Sequence, residues 1–280
     1  MIDIRLLREN PDLIRENCRR RGSSVDLEAL IRDDQSYLGL VREVEELRAE
    51  RNRLSKDCRD NPAARERVRD LKSILAGKED LLEQTRSRVE AGLSWLPNLL
   101  ADDVPPGASD QDNRMIRESG VKPSFAFAAR DHQALGEILG IIDTTRGAKV
   151  AQSGFYYWTG RGAELTNALF FWAQRELIAR GFTGFITPCV AKAKTLYGTG
   201  YLPFFADQTY RLEGEDLSLI GTSEQTMVGY HADEVLDAAS LPRCYCAFTP
   251  CFRTEAGSYG KEVRGIFRVH QFHKDRKSVV

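Results

Sequence analysis

Two long stretches of heptad spacing near the start of the chain constrain its fold more than any other feature. Along each stretch, apolar residues recur alternately every three and every four positions. The first seam comprises Tyr37, Leu40, Val44, Leu47, Arg51 and Leu54. The second comprises Val68, Leu71, Leu75, Lys78, Leu82, Thr85 and Val89. The turn Asp60-Asn61-Pro62 separates them, so the pattern predicts an antiparallel coiled-coil hairpin.

The flanks of both seams are rich in arginine and lysine, as in RAERNRLSK (residues 48–56) and RERVRDLK (residues 65–72). Such charges are typical of a solvated coiled-coil surface with ion pairs between the helices, and the spacing alone favours this interpretation. The alternative is a basic flank that meets a polyanion, because an isolated hairpin buries little and is suited to reaching a partner.

The composition limits the possible functions. The 280 residues carry a net charge of −1, which excludes a uniformly basic nucleic-acid binder but allows a local basic patch. No apolar run reaches the roughly 20 residues that span a bilayer, and the start, MIDIRLLREN, lacks the apolar core of a secretory signal. Six scattered cysteines are too few for a disulfide scaffold. We therefore expect a cytoplasmic, soluble protein without membrane contact.

An acidic segment rich in proline and glycine, ADDVPPGASDQDN (residues 101–113), predicts a linker. We expect a helical domain over residues 1–103 and a second domain over residues 104–274. In the second domain, helices are predicted over residues 132–143, 162–181 and 226–236. Strands are predicted over residues 153–160, 182–190, 243–257 and 265–274, with two more within 208–225. Neighbouring strands joined by a loop favour an antiparallel sheet, and the fold class is α+β.

A cluster of phosphate-binding and stacking side chains occurs near the end of the chain. On a strand, Arg253 and Glu255 would share a face, and an arginine fork suits bidentate binding of phosphate. The following strand offers Arg268, His270 and Phe272, whose ring could stack on a flat base. The alternative is a cross-strand salt bridge on a solvated sheet face, worth less than ~1 kcal/mol.

Two other groups of residues each allow two interpretations. In Thr222-Ser223-Glu224, the carboxylate could hold an ammonium group, but Thr222 or Ser223 could also simply cap the helix that follows. Cys244, Cys246, Cys251 and His270 include metal-ligand types. Their spacing differs from that of structural zinc sites, and alternating cysteines on a strand favour packing in the core.

Several phrases of the sequence resemble the seryl-tRNA synthetases, a class II family, over residues 1–274. The start MIDIRLLRENPDLIREN and the heptad hairpin resemble the family's N-terminal helix and tRNA-binding arm. DDVPPG, RDHQALG and YGTGYLPFF are typical family phrases. The helix over 162–181 with the strand after it resembles motif 1, which forms the dimer interface. FRTEAGSYGKEVRGIFRVHQF (residues 252–272) resembles motif 2.

This resemblance implies an N-terminal coiled-coil arm followed by an incomplete class II catalytic domain built on an antiparallel sheet. It implies ATP-dependent activation of L-serine to seryl-adenylate and transfer to tRNA(Ser) by a homodimer. Serine would be bound by Thr222, Ser223 and Glu224. ATP would be bound by Arg253, Thr254, Glu255, Arg268, Val269 and Phe272, with Arg253 and Glu255 as the catalytic pair. Phe272 would stack on the adenine, and the loop over residues 257–265 would approach the acceptor end of the tRNA.

The last residues depart from the family pattern. After VHQFHK the family continues with a glutamate that binds the serine ammonium, and Arg276 stands at that position. The family's Mg²⁺ ligands would follow later, so none is expected within this chain. Residues 275–280, DRKSVV, are what one reading frame of a common short-read sequencing adapter encodes. We predict a non-native tail there, which different codons in the nucleotide record would refute.

Three functional hypotheses follow from these observations. The first is a serine–tRNA ligase whose record was cut short, inactive as it stands. The second is a non-catalytic tRNA-binding or regulatory paralogue that lost the active site. The third, a coiled-coil interaction protein with an unrelated second domain, is disfavoured by the motif 2 resemblance. An intact motif 2 favours the first over the second, because a paralogue without the activity has no reason to retain it.

Overall fold

A computed structural model describes residues 2–57, 61–255 and 265–279 of the chain. These residues form two compact units, residues 1–118 and residues 119–280. The predicted domain limits, 1–103 and 104–274 with a non-native tail over 275–280, stay predictions. Most of the predicted tRNA-facing loop over residues 257–265 lies outside the described residues.

In the first unit, the described residues form four α-helices. They are α1 (Ile4–Glu9), α2 (Pro11–Arg20), α3 (Leu27–Asp57) and α4 (Pro62–Ser94). Helix α4 begins with Pro62 at its first position, where no backbone N–H is needed, and the Asn61 side chain accepts from Ala63 N and Ala64 N. Helix α4 therefore begins at the Asn61-Pro62 step that was predicted to separate the two seams.

Burial along α3 and α4 confirms the predicted coiled-coil hairpin. Val44, Leu71, Leu75 and Thr85 are each at most 2% exposed. Across the seam, Arg48 pairs with Glu79 at 2.7 Å, and Lys78 pairs with Glu43 at 2.6 Å. Two further interhelical pairs are Arg67–Glu50 at 3.1 Å and Arg88–Asp33 at 3.2 Å. Part of the basic flank, including Arg48 and Arg67, thus serves as the ion-paired surface that the heptad spacing favoured.

Helices α1 and α2 cover the base of the hairpin. Ile14 is fully buried there and belongs to one apolar cluster with Leu30 and Val89. The buried Asn17 side chain donates to the carbonyl oxygens of Pro97 and Asn98 and accepts from Leu100 N. This amide ties the chain that leaves α4 back onto α2, since a buried polar group needs its hydrogen bonds.

The second unit contains short helices and small sheets. Its helices are α5 (His132–Ile138), α6 (Thr144–Ala151), α7 (Arg161–Ala179), α8 (Ala193–Gly198) and α9 (Ser223–Gly229). Its strands are β1 (Ile142–Asp143), β2 (Tyr157–Trp158), β3 (Thr183–Phe185), β4 (Val190–Ala191), β5 (Ser218–Leu219), β6 (Cys244–Phe252) and β7 (Gln271–Val279). The α+β class is confirmed. No helix in the described part of the chain combines the length and apolarity needed to cross a membrane.

The largest sheet has the order β3-β6-β7. Strands β6 and β7 pair antiparallel along nine residues, from Cys244 opposite Val279 to Phe252 opposite Gln271, as the sequence predicted. Strand β3 pairs parallel to β6, with Thr183 opposite Tyr245. The sheet is therefore mixed, because β3 reaches β6 through a long connection rather than a tight hairpin.

Several element limits differ from the predicted ones. Helix α9 begins at Ser223 and ends at Gly229, earlier at both ends than predicted. Strand β6 ends at Phe252, and Glu255 has a positive φ of 50°, so the two-residue alternation assumed for Arg253 and Glu255 does not apply there. Strand β7 begins at Gln271 and runs through residues 275–279, which pair in register with β6.

Candidate functional site

One face of β7 carries three long side chains that bear on the candidate site. Phe272, Lys274 and Arg276 share this face because alternate strand residues point the same way. Opposite them on β6 stand Cys251, Thr249 and Ala247, each at most 1% exposed. These small buried residues form a floor, and the long side chains of β7 extend beside it.

Arg253 follows β6 directly and is held by both of its ends. Its backbone N–H donates to the His270 carbonyl at 2.9 Å. Its Nε and Nη2 both donate to the Gly221 carbonyl at 3.3 Å. The guanidinium carbon lies 5.4 Å from the centre of the Phe272 ring, within the range of a cation–π contact. The charged group is therefore fixed in place beside the Phe272 ring.

His270 contacts the backbone of Arg253 and helps to position it. Its Nδ1 lies 3.0 Å from the Arg253 carbonyl oxygen and 3.1 Å from the Tyr210 hydroxyl, so Nδ1 donates to the carbonyl when protonated and accepts from the hydroxyl when it is not. The His270 backbone N–H donates to the Gly154 carbonyl at 3.0 Å. Gly154 has φ 86°, and a Cβ there would stand 2.4 Å from the His270 ring. Only glycine allows this approach of backbone to ring.

A first cleft of about 610 Å³ opens on one side of Arg253. It is lined by Tyr156, Arg253, Glu255, Ile266, Phe267, Arg268, Val269 and Phe272. Arg268 Nε donates to Glu255 Oε2 at 2.5 Å. Neither residue lies on β6 or β7 and the Glu255 side chain is only 15% exposed, so this pair differs from the cross-strand salt bridge on a solvated sheet face that was the alternative. Both residues line a cavity large enough for a nucleotide, and their role as ATP ligands stays a prediction.

A second cleft of about 480 Å³ opens on the other side of Arg253. It is lined by Gly198, Thr199, Gly200, Tyr201, Phe205, Thr222, Glu224, Gln225, Val228, Arg253 and Lys274. Burial raises the pKa of the Tyr201 phenol, an effect that the nearby Arg253 charge partly offsets, so this hydroxyl stays a donor at neutral pH. Among the described lining residues, Arg253 is the one that the two clefts share.

The start of α9 forms one wall of the second cleft. Thr222 is the N-cap residue of α9, its side chain accepting from Glu224 N at 3.4 Å, so the capping interpretation is confirmed alongside its place in the cleft. Glu224 lines the cleft and pairs with Arg276 Nη2. Ser223 is fully buried, with its Oγ 2.6 Å from Thr249 Oγ1.

The structure brings most of the predicted site residues together. Arg253, Glu255, Arg268, Val269 and Phe272 line the first cleft, and Thr222 and Glu224 line the second. Two predicted residues lie beside the clefts. Ser223 anchors α9 to β6, and Thr254 secures the turn after β6 by donating from Oγ1 to the Asp207 carbonyl at 2.7 Å. Their predicted roles as direct ligands stay predictions.

Sequence reasoning missed eight of the eleven described lining residues of the second cleft, among them Lys274, Gln225 and Tyr201. Lys274 could have been found from the two-residue period of β7, which places it on the face of Phe272. Gln225 and Tyr201 gave no such signal, because they reach the cleft only through the packing of α9 and the segment after α8. Their positions depend on contacts between residues far apart in the sequence.

Two of the three cysteines of β6 belong to the core, as their alternation favoured, whereas Cys244 is half-buried. Cys246 and Cys251 are fully buried and free of disulfides. Burial raises the pKa of both thiols, which works against the thiolate form that a metal would need. Among the described residues, no group of three or more His, Cys, Asp or Glu side chains could hold a metal ion.

Comparisons with known families and sequences agree with this geometry. Residues 1–100 match the seryl-tRNA synthetase N-terminal domain, and residues 208–280 match the class II tRNA synthetase core domain of the G, H, P, S and T enzymes. The chain is 42% identical to a serine–tRNA ligase of Beutenbergia cavernae, over 98% of this chain and 67% of that protein. It is 41% identical to one from Mycobacterium marinum, over 98% and 66%.

Solved structures give the same result. A seryl-tRNA synthetase from Pyrococcus horikoshii complexed with ATP superposes with a TM-score of 0.88 at 32% identity, covering 100% of this chain and 69% of that one. A cytoplasmic serine–tRNA ligase from Naegleria fowleri in complex with AMP gives 0.81 at 27%, covering 100% and 67%. The chain spans about two thirds of the length of these relatives. On the family match, the sequence identity and the shared fold, this chain belongs to the seryl-tRNA synthetase family.

Proposed function

We propose that the first cleft binds ATP and the second is the amino-acid cleft of a serine-activating site. The observation that carries this proposal is the place of Arg253, which lines both clefts. Adenylate formation requires a carboxylate and the α-phosphate of ATP to meet at one point. A fixed guanidinium between the two clefts is suited to that point, because it can contact both reacting groups.

The reaction supported by this arrangement is serine activation followed by transfer to tRNA(Ser). A serine carboxylate oxygen attacks the α-phosphorus of ATP, the bond to the bridging oxygen breaks, and pyrophosphate leaves with the electron pair. Negative charge builds on the α-phosphate oxygens, where Arg253 stabilises it. Phe272 would stack on the adenine, while Arg268 exchanges its bond to Glu255 for the phosphates and frees Glu255 for an amine of the base.

Arg276 is unfavourable for binding the serine ammonium in the second cleft. It pairs with Glu224, the carboxylate that would receive the serine ammonium, and adds a cation beside it. The chain as it stands is therefore expected to bind ATP and tRNA without forming seryl-adenylate. This matches the hypothesis of an inactive fragment of a serine–tRNA ligase. A non-catalytic paralogue that binds tRNA is the second candidate, supported by the same ion pair.

Two measurements test the proposal. Calorimetric titration of the 280-residue chain with ATP should show saturable binding, which Arg253→Ala weakens. Serine-dependent ATP–pyrophosphate exchange should be absent. Failure to bind ATP would overturn the assignment of the first cleft, and exchange at a rate near that of a full-length relative would show that Arg276 does not block activation.

Magnesium is the usual partner of ATP in such a reaction. Among the described residues that line the first cleft, Glu255 is the single carboxylate, and it is paired with Arg268. A Mg²⁺ site needs several oxygen ligands in octahedral arrangement. The described residues therefore do not form a Mg²⁺ site of their own, and none of the roles proposed for them depends on the metal.

The hairpin is proposed to hold tRNA(Ser). Several of its exposed cations make no ion pair within the described residues, among them Arg42, Arg53, Arg69 and Lys72. Cations left over after the interhelical pairs are formed are available to phosphates, which dominate affinity for nucleic acids. Such contacts recognise the shape and backbone of a folded RNA rather than its bases. Because a protein that charges or binds tRNA acts in translation, we propose that it acts in the cytoplasm.

A homodimer through α7 is proposed from the exposed apolar residues of that helix. Leu165, Leu169, Phe171 and Trp172 are 54–63% exposed, although they are large and apolar. Exposed apolar side chains grouped on one helix are typical of an interface between subunits. Sedimentation should show a dimer that Trp172→Glu converts to monomer, and a wild-type monomer at micromolar concentration would contradict the proposal.

A further inference from the structure

One wall of the first cleft is a short stretch of chain just before β7. Its four residues all line the cleft: Ile266, Phe267, Arg268 and Val269. They lie outside the helices and strands, so the ladder bonds of a sheet do not hold them. The position of this wall therefore depends on individual contacts at its two ends.

The end of the wall nearest β7 is held through backbone atoms. The His270 N–H donates to the Gly154 carbonyl at 3.0 Å, and the Arg253 N–H donates to the His270 carbonyl at 2.9 Å. These bonds join the end of the wall to the residue that lines both clefts. Because their donors and acceptors belong to the main chain, this end does not depend on one side chain.

The other end of the wall is held by a side chain from a distant part of the sequence. The Ile266 backbone N–H donates to His132 Nε2 at 3.0 Å, across 134 positions of the chain. An imidazole nitrogen accepts only when it carries no proton, so the ring bears its proton on Nδ1 in this bond. The rings of His132 and Phe267 also meet edge to face, with centres 4.2 Å apart. One side chain thus fixes both the backbone of Ile266 and the ring of Phe267.

Gly265 provides the space that the imidazole occupies. It has φ 79°, and a Cβ at this residue would stand 2.0 Å from His132 Nε2. His132 is half-buried and opens α5, where the Asp131 side chain caps the helix by accepting from Ala134 N at 2.8 Å. The ring is therefore presented by a capped helix to a backbone that leaves room for it.

From these contacts we propose that His132 is a positioning residue of the ATP cleft, which holds Ile266 and Phe267 in place before the nucleotide binds. A wall that is already ordered costs less binding free energy than one that ATP must order. Phe267 is 81% exposed although it is large and apolar, as a ring that awaits a ligand would be. His132 is not among the described lining residues, so it acts through the wall. The inference rests on the proposed function in taking the first cleft as the place of ATP.

Two amide side chains test the hydrogen bond separately from the ring. In His132→Gln, the side-chain carbonyl oxygen lies as many bonds from Cβ as Nε2 does and can accept from Ile266, whereas the oxygen of His132→Asn is one bond too short. Calorimetric titration of the full 280-residue chain should show ATP binding about three- to tenfold weaker in His132→Ala and His132→Asn. His132→Gln should recover most of this loss. Hydrogen exchange at the Ile266 amide should be faster in the alanine and asparagine variants only.

His231→Ala is the matched control. This half-buried ring also makes two hydrogen bonds, to Glu234 and Tyr245, and is absent from the lining of both clefts. Its loss should leave ATP affinity unchanged at a temperature where the variant is folded.

The inference is overturned if His132→Asn binds ATP as tightly as wild type, if His132→Gln binds as weakly as His132→Asn, or if His231→Ala weakens binding equally. The comparison of glutamine with asparagine stands even where His132→Ala does not fold. A wild-type chain that binds no ATP would overturn the proposed function as well. ATP binding that is indifferent to the variants at His132 counts against this inference alone.

Discussion

The hairpin of α3 and α4 and the site beside β6 and β7 use the same charged residue types for different purposes. In the hairpin, Arg48 and Lys78 each pair with a glutamate on the opposite helix. Beside the sheet, Arg253 and Lys274 make no ion pair with a carboxylate within the described residues, and the Arg253 side chain donates to the Gly221 carbonyl instead. The residue type alone therefore does not tell whether a charged side chain stabilises the fold or is available for binding. Whether the fold places an oppositely charged partner beside it decides between the two.

The largest effect is expected in the seam of the hairpin. Leu71→Ala should destabilise the first unit by about 2–5 kcal/mol, because it leaves a cavity at a fully buried position. Ile74→Ala, three residues away and 43% exposed, is the matched control and should cost far less. Urea unfolding followed by helical circular dichroism measures both. Equal effects at the two positions would show that the seam is not the core of the hairpin.

At the site, Arg253→Ala should lower ATP affinity about 10- to 100-fold, since it removes a charge-assisted contact to phosphate. Arg253→Lys retains the charge but loses the planar fork and should fall between wild type and alanine. Titration calorimetry gives the affinities. An unchanged affinity for Arg253→Ala would place ATP elsewhere.

The hairpin offers a direct contrast between paired and unpaired cations. Lys72→Gln should weaken tRNA binding a few-fold and reduce the slope of log affinity against log salt by about 1, because one phosphate contact is lost. Lys78→Gln is the matched control, since Lys78 already pairs with Glu43. Filter binding over a range of salt concentrations measures both slopes. If the two variants behave alike, the ion pairs do not decide which cations meet the RNA.

How much could be predicted from the sequence also differs between the two regions. The hairpin was predictable because its pattern is local and repeats, and each heptad position supports the next. At the site, Arg253, Glu255 and Phe272 were predictable from their residue types and from the family resemblance. The parallel pairing of β3, the left-handed Glu255 and the place of Gln225 were not. They follow from tertiary contacts that leave no periodic trace in the sequence.

The smallest effect is expected at Asp275 on β7. Burial raises the pKa of this carboxyl, and its Oδ1 has no partner among the described residues. Because folding raises the pKa of Asp275, protonation of this carboxyl contributes fully to stability only below the pKa that it has in the unfolded chain. The contribution is lost as pH rises through the folded-state pKa. Asp275→Asn should therefore raise the melting temperature at pH 7 by about 1–3 °C.

The same comparison at acid pH checks the sign of this effect. Below the pKa of an aspartate in the unfolded chain, about 4, Asp275 is protonated in both states. The gain in melting temperature from Asp275→Asn should disappear there. Glu215 is exposed and makes no ion pair in the described chain. Glu215→Gln should therefore leave the melting temperature unchanged at both pH values. A gain for Asp275→Asn that persists at acid pH would indicate a cause other than the buried charge.

The parallel pairing of β3 with β6 has a consequence for the order of folding. Thr183–Phe185 must find Tyr245–Ala247 across a long intervening stretch, whereas α3 and α4 meet across a short turn. Closing a long loop costs entropy before any contact rewards it, so structures with distant pairings form slowly. On a ribosome, the hairpin can therefore form before β6 has been synthesised, whereas the sheet cannot. A newly made chain would therefore present the helices proposed to contact tRNA before the cleft proposed to bind ATP has formed.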